Sequence, residues 1–428
     1  MAKNVLLAAL VLAALVRGGT FFLGHAGGGD QSYYTAAAMK LEKTGFKGYT
    51  LRDTAFVPRP GGFVEYTHDT DPAHSAVEAM KSAGLHYYDT PVLHVPPLFS
   101  AVIRFSHAVF GPKAYVLEDK AFPFHRGWHF HRAEFYATVV PFTASLATLM
   151  LLAFFVLGRA GTAAAALAVF ALAVSPVDIL AADRVWADSL VTFFVFAAFI
   201  LYLEAADRRR IWPAAAAGVF LGLGILTKGS ALFFLPFALL HDLRVEKKLS
   251  LRFVALAGAA LVISLPWFWL LYKTYGNPFY FPAAPLPGSG PDAKWFEFVT
   301  NRPWFMYPVN LFFQNPLFLF AAAPLAAIAR RRSLPEENLM IAWVVFFMAI
   351  LLTVWPWREE RYLLPAYPAL AALAGLGMSR VRKALEARRK NLGSAALTLA
   401  LTVAIPWSLE LAYMYLYIWQ NDTLPVPF

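Results

Sequence analysis

Stretches of apolar residues long enough to cross a hydrocarbon layer recur along this chain, and every second link between them is basic. They fall at 5–23, 135–158, 162–180, 189–203, 211–226, 230–240, 253–272, 304–328, 339–355, 362–378 and 392–409. A helix rises about 1.5 Å per residue and the apolar core of a bilayer is about 30 Å thick, so about 20 such residues make a span. Backbone polar groups in lipid must bond within the protein, which leaves helices or closed barrels. The fold class that follows is an all-α integral membrane bundle of about eleven transmembrane helices. At 59% hydrophobic and 15% charged residues, the chain has too little polar surface for a soluble protein of its length.

The links supply the orientation. With a cytoplasmic N-terminus, the links that should also be cytoplasmic carry Arg159, then Arg208, Arg209 and Arg210, then Arg244, Lys247, Lys248 and Arg252. Further on come Arg330, Arg331 and Arg332, and then Arg380, Arg382, Lys383, Arg388, Arg389 and Lys390. Each obeys the positive-inside rule. The net charge of +10 is thereby a topology signal, and no nucleic-acid partner is expected. The chain divides into a first transmembrane helix (1–24), an extracytoplasmic loop with juxtamembrane helices (25–132), a helix bundle (133–410) and an aromatic extracytoplasmic tail (411–428). The length of the first span favours an uncleaved anchor over a signal peptide.

In that loop a glycine run ends in Asp30, followed by Gln31, Ser32, Tyr33 and Tyr34. A carboxylate just outside the bilayer suits a reaction at the membrane surface, and Asp is equally a good N-cap for the segment that follows. Lys228, Arg358 and Arg361 sit at the outer ends of spans, where cations should be sparse. They suit an anionic ligand such as a lipid phosphate, or else snorkel to headgroups or pair with Glu359 and Glu360. Asp188 stands before a span, where it either serves the site or caps the helix. Asp183 and Arg184, just before it, read as a simple pair of opposite charges.

Other clusters carry less. Asp69-Thr70-Asp71 precedes Pro72 in a polar stretch and reads as a turn. His68 and His74 around it match no metal-binding spacing. His125, His129 and His131 lie among Trp128, Phe130 and Arg126, which points to headgroup contact. The chain has no cysteine, so thiolate chemistry and disulfides are absent.

Five segments taken together resemble the GT-C membrane glycosyltransferases, particularly the branch of the protein O-mannosyltransferases and the lipid A aminoarabinose transferases. They are Gly29-Asp30-Gln31-Ser32-Tyr33-Tyr34, His94-Val95-Pro96-Pro97-Leu98-Phe99, Asp188-Ser189-Leu190, Thr227-Lys228-Gly229 and Arg361-Tyr362-Leu363-Leu364-Pro365. The resemblance implies a sugar moved from a polyprenyl-phosphate donor to an acceptor hydroxyl on a lipid, glycan or protein, at the outer face of a bacterial or archaeal plasma membrane. It casts Asp30 and Asp188 as catalytic, and Lys228, Arg358, Arg361 and Tyr362 as ligands of the donor phosphate. Tyr33, Tyr34, His94, Pro96 and Pro97 are cast in substrate binding. Where aminoarabinose transferases usually have Glu-Lys before the paired prolines, this chain has His94-Val95, so His94 is the candidate ligand for a divalent metal ion, the one cofactor considered. A single base with direct displacement inverts the anomeric centre. The rival class is a transporter or flippase of polyprenyl-linked glycans, which would favour internal repeats. None is evident between the halves of the sequence.

Overall fold

The structure, a computed structural model, describes residues 2–23, 34, 37–38, 41, 54–59, 62–67, 96–110, 117–118, 130–279, 303, 305–330, 334–353 and 359–418. Every apolar stretch read from the sequence forms a helix or a bent pair of helices. These are α1 (Ala2–Leu23), α3 (Arg132–Ala160), α4 (Thr162–Ala173) with α5 (Pro176–Asp183), α6 (Asp188–Arg208), α7 (Ile211–Thr227), a 3-10 turn (Gly229–Phe233) leading into α8 (Phe234–Glu246), and α9 (Leu251–Tyr275). They continue as α10 (Met306–Gln314), a 3-10 turn (Pro316–Ala321) and α11 (Ala322–Ala329), α12 (Pro335–Thr353), a 3-10 turn (Glu360–Ala366) running into α13 (Tyr367–Glu386), and α14 (Leu392–Tyr413). Among the described residues, 7 helices are long and apolar enough to cross a membrane, and 9 spans result if each bent pair counts as one. The other two stretches in the expected eleven are α7 and the turn before α8 with α8, both shorter. The loop adds α2 (Pro97–Phe110) and two small antiparallel pairs, Thr54–Arg59 with Gly62–Thr67 and Leu117–Glu118 with Phe130–His131. The membrane part itself is all α.

Both bends fall at X-Pro steps. The α4 to α5 break turns the chain by 64° just before Pro176, and the break before Pro316 turns it by 110°. Proline disfavours a helical residue ahead of it and carries no N–H for the preceding turn, so α4 stops two residues short of its proline and α10 one. Ser175 and Asn315 accordingly leave helical geometry, with ψ of 117° and 89°.

The centre of the bundle is α13, lined by Ala369, Ala371, Ala372, Ala374, Gly375 and Gly377. Small side chains let helix backbones approach closely in a membrane, where lipid offers no hydrophobic drive to association. A Cβ on Gly375 would stand 2.6 Å from the carbonyl oxygen of Ala164 on α4, and one on Gly377 would strike the Phe320 carbonyl. Elsewhere the core is aromatic: Phe199, Phe234, Phe237, Trp343 and Phe347 form a continuous edge-and-face stack between α6, α8 and α12.

At the α4–α5 bend the bundle holds a charge network that sequence reading did not pair. Arg17 of α1, fully buried, forms an ion pair with Asp178 of α5. Its Nε donates to Ser145 Oγ (2.7 Å) and its Nη1 to the Ala173 carbonyl (3.1 Å), while Nη2 reaches the Leu172 carbonyl at 3.4 Å. Ser145 Oγ in turn donates to Asp178 at 3.1 Å. At the bend the Leu172 carbonyl still accepts from the Ser175 N–H (3.1 Å), and the guanidinium adds a donor to it and to the Ala173 carbonyl where the helical ladder stops.

Candidate active site

Three breaks in the helical ladder bring charged side chains together at one end of the bundle. The link from α5 to α6 carries Trp186 and presents Asp188 as the first residue of α6. Lys228 follows α7 in extended geometry (φ −157°, ψ 133°), and the turn Glu360–Ala366 presents Arg361 and Tyr362 ahead of α13. All three leave backbone groups outside regular hydrogen bonding, which in a membrane protein is tolerated where the chain is buried in protein or lines a polar cavity. The basic links lie at the far end: α6 runs 21 residues from Asp188 to Arg208, about 30 Å at helical rise.

Lys228 Nζ donates to Asp188 Oδ1 at 2.6 Å and stands 4.5 Å above the centre of the Tyr362 ring. The Arg361 guanidinium lies 5.4 Å from the same ring and 4.4 Å from Trp186, and its Nε pairs with Glu359 Oε2 at 2.5 Å. Tyr362 donates its hydroxyl to Glu359 Oε1 at 3.3 Å. Arg184 lies against Trp186 as well, 4.8 Å from the ring. Asp188 is almost wholly buried, and the Lys228 side chain keeps 18% of its surface exposed. Cations over ring faces are held by the π quadrupole, more strongly as water is withdrawn. Lysine and arginine charges are thus stacked through two aromatic rings, with Asp188 and Glu359 as counter-ions that an incoming anion can displace.

Of the two readings of Asp188, the helix start rules out the cap. It is the first helical residue and makes no cap, since Ala187 occupies that position without a side-chain bond. Its carboxylate holds Lys228 instead, while sitting in a first turn where negative charge is favoured. Arg361 takes up the pairing with Glu359 that was the alternative to a ligand role, and Glu360 accepts from Asn310 at 2.7 Å.

The loop reaches this end through Tyr34. Its ring meets Phe99 of α2 edge-on at 4.8 Å, and both join a cluster with Ile103, Val140, Val185, Ala187 and Leu190. The Pro96-Pro97 segment, which opens α2, therefore sits beside the link that presents Asp188. Asp30, Tyr33, His94 and Arg358 lie outside the described residues, as do His68, Asp69, Asp71, His74, His125 and His129. Among the described residues no group of three or more His, Asp or Glu side chains could hold a metal ion.

Sequence reading passed over Trp186, Arg184 and Glu359 as parts of one assembly. A tryptophan between an arginine and an aspartate in a short link at a span's outer end was the available signal, since a ring there can hold a cation as well as anchor at the interface.

Residues 89–277 match the family described as dolichyl-phosphate-mannose-protein mannosyltransferase. An uncharacterised protein of Aquifex aeolicus (strain VF5) is 28% identical over 187 residues, which are 42% of this chain and 36% of that protein, so the chain matches about a third of that relative's length. In structure, the chain resembles ArnT from Cupriavidus metallidurans bound to undecaprenyl phosphate (TM-score 0.59, 17% identity, covering 99% of this chain and 74% of that one). It also resembles the archaeal oligosaccharyltransferase AglB from Archaeoglobus fulgidus in complex with an inhibitory peptide and a dolichol-phosphate (TM-score 0.58, 14% identity, covering 96% of this chain and 55% of that one). The chain has the GT-C fold.

Proposed function

We propose, taking the GT-C fold as the premise, that this multi-pass membrane protein is a glycosyltransferase that takes a sugar from a polyprenyl-phosphate donor and passes it to an acceptor hydroxyl. The observation that carries the reading is the cluster of Lys228, Arg361, Tyr362 and Trp186, buried or half-buried at the end of the bundle opposite the basic links. Cations held over rings in a partly dehydrated site stabilise a phosphate far better than the same groups in water. The match to a mannosyltransferase family and the lipid phosphates named for the ArnT and AglB structures support that ligand.

Each group has a task. When the glycosidic C–O bond breaks, negative charge grows on the leaving phosphate, and Lys228 and Arg361 meet it, with Arg358 as a further cation. Tyr362 keeps both described cations in place. Asp188 acts through Lys228, fixing its position until phosphate oxygens take over. Asp30 is the base that removes the acceptor's proton as its oxygen attacks the anomeric carbon. It lies four residues before Tyr34, a reach of at most about 14 Å, and Tyr34 packs against the link that carries Asp188. One base and one displacement give inversion. By the positive-inside rule this end faces outward, toward the extracytoplasmic side of the plasma membrane. His94 and the segment from Pro96 to Pro97 take part in substrate binding.

The test uses purified protein in detergent with labelled polyprenyl-phosphate sugars and an extract of envelope lipids, glycans and proteins. Transfer should occur and should be lost in Asp30→Asn, which keeps shape and removes the base. Undiminished transfer in that variant overturns Asp30 as base. Movement of lipid-linked glycan across vesicles without any transfer overturns the enzyme reading in favour of a transporter.

A further inference from the structure

At the end of the bundle opposite the phosphate cluster, the last turns of α6 and α8 and the first turn of α9 are tied into one corner. Tyr202 of α6 donates to the Ala238 carbonyl of α8 at 3.1 Å and meets His241 Nδ1 at 2.9 Å. Arg252 of α9 donates to the Ala205 and Ala206 carbonyls of α6 at 3.3 and 3.2 Å, and pairs with Glu246 of α8. The other acids of the corner are also engaged. Glu204 and Asp207 pair with Arg159, Glu204 pairs with Arg208 as well, and the buried Asp242 accepts from the Ser250 N–H and hydroxyl. Left over are Arg209, Arg210, Arg244, Lys247 and Lys248, all exposed and, among the described residues, in no ion pair. We propose that this corner binds an anionic glycerophospholipid of the leaflet on that side, with its phosphate on these cations and its acyl chains along α9.

Charge and surface together select that ligand. Cations gather at helix C-termini to meet the last carbonyls, but at the end of α6 two of those carbonyls are supplied by Arg252. Like charges left without local acids repel one another, and an anion shared between them relieves the repulsion. An acidic protein would match the charge and not the surface beside it. Leu249 and Leu251 are more than half exposed, and from Leu251 an exposed apolar stripe continues along α9 through Val254, Leu261 and Leu265. Their spacing puts the four α9 residues on one helix face. A phospholipid makes the same step, from phosphate to hydrocarbon. A zwitterionic headgroup brings its own cation to the cluster, whereas an anionic one does not, and basic patches at the ends of membrane helices favour anionic lipids for that reason. Topology alone asks only for basic residues in the link. It does not ask for cations stripped of partners at the head of an apolar stripe. The α13–α14 link is the contrast: Arg380 there pairs with Glu337, and Arg382 lies 4.0 Å from Glu386.

Native mass spectrometry of the full chain in detergent, titrated with phosphatidylglycerol or phosphatidylcholine, reads the binding. Wild type should bind phosphatidylglycerol about tenfold more tightly than phosphatidylcholine. One cation near an anionic lipid is worth about fivefold in affinity, so Arg210→Gln combined with Lys248→Gln should lose about 25-fold toward phosphatidylglycerol. Arg210→Lys combined with Lys248→Arg keeps the charge and should bind as wild type does, which separates lost charge from disturbed folding. Arg388→Gln combined with Arg389→Gln removes the same charge from the α13–α14 link and should leave phosphatidylglycerol binding unchanged. Equal affinity of wild type for the two lipids overturns the proposal, and so does wild-type binding by the glutamine pair at 210 and 248. A loss as large in the charge-keeping pair, or in the pair at 388 and 389, overturns it as well. Poly-glutamate is the last probe: if wild type holds it, and the glutamine pair at 210 and 248 loses it while still binding phosphatidylglycerol like wild type, the corner belongs to a soluble acidic partner and the lipid assignment falls.

Discussion

Asp178 and Asp188 stand ten residues apart in the chain, and each holds a cation, yet their surroundings differ in kind. Arg17 has its guanidinium nitrogens bonded to Asp178, Ser145 and two carbonyls at the end of α4, and no part of it reaches the surface. Lys228 has an ammonium with three donors, of which, among the described residues, one is bonded to Asp188, and the cation otherwise rests on a ring face. A network with each partner supplied rigidifies, and its cation is not available to a ligand. A lysine held by one carboxylate and a ring, with part of its surface open, is ready to exchange that carboxylate for a phosphate. The first pair supports the α4–α5 bend, and the second serves the site that the bend helps to position.

The sharpest way to break this comparison is to remove Arg17. Arg17→Met leaves the Asp178 carboxylate buried without its cation and takes the guanidinium from the Ala173 carbonyl, and breaking a buried pair in this way costs about 3–5 kcal/mol. The variant should lose most of its monodisperse fraction on heating in detergent, read by size-exclusion chromatography at temperatures that wild type survives. Arg17→Met combined with Asp178→Leu should recover part of that loss, because an apolar replacement of both partners removes the uncompensated charge. A single variant as stable as wild type would remove the structural role assigned to the network.

Lys228→Met sharpens the other side. One exposed edge and one broken ion pair should change the melting temperature little, while transfer should fall by about 10²–10³, the effect of deleting one preorganised charge at a reacting group. Asp188→Asn should fall between wild type and Lys228→Met in transfer rate, because the lysine remains but is no longer fixed. Comparable loss of heat stability in Lys228→Met and Arg17→Met would erase the distinction between the two pairs.

How much of this was legible in the sequence follows from the range of the forces involved. Spans and orientation are written locally, in hydropathy and in the basic links, and each apolar stretch became a helix or a bent pair. Pro176 and Pro316 mark the bends, but whether a proline kinks a span or ends it depends on what receives the freed carbonyls. At Pro176 the recipient is Arg17, more than 150 residues earlier in the chain, and no local pattern joins the two. Lys228 and Arg361 were legible as cations on the side where few are expected. Their common ring, Tyr362, and the neighbouring Trp186 were legible only as aromatics near an interface, because stacking is a property of where three chain breaks meet. The shortened α7 and α8 blurred the count for a related reason: packing against α6 and α9 lets them be shorter than a lipid-exposed span needs to be.

The smallest expected effect tests whether the ring beneath Lys228 matters as a ring. Tyr362 has two handles, a π face under Lys228 and Arg361 and a hydroxyl on Glu359. A cation–π contact at a partly exposed site is worth about 0.5–1 kcal/mol, so Tyr362→Leu should weaken undecaprenyl phosphate binding about two- to fivefold by releasing the lysine from its position. Tyr362→Phe keeps the face and removes the hydroxyl, and should bind nearly as wild type does. If phenylalanine proves as poor as leucine, the hydroxyl bond to Glu359 is what orders the site, and Lys228 is held by Asp188 alone. In that case the two ion pairs differ only in exposure, and the site's readiness for phosphate comes from the opening above Lys228 rather than from the ring beneath it.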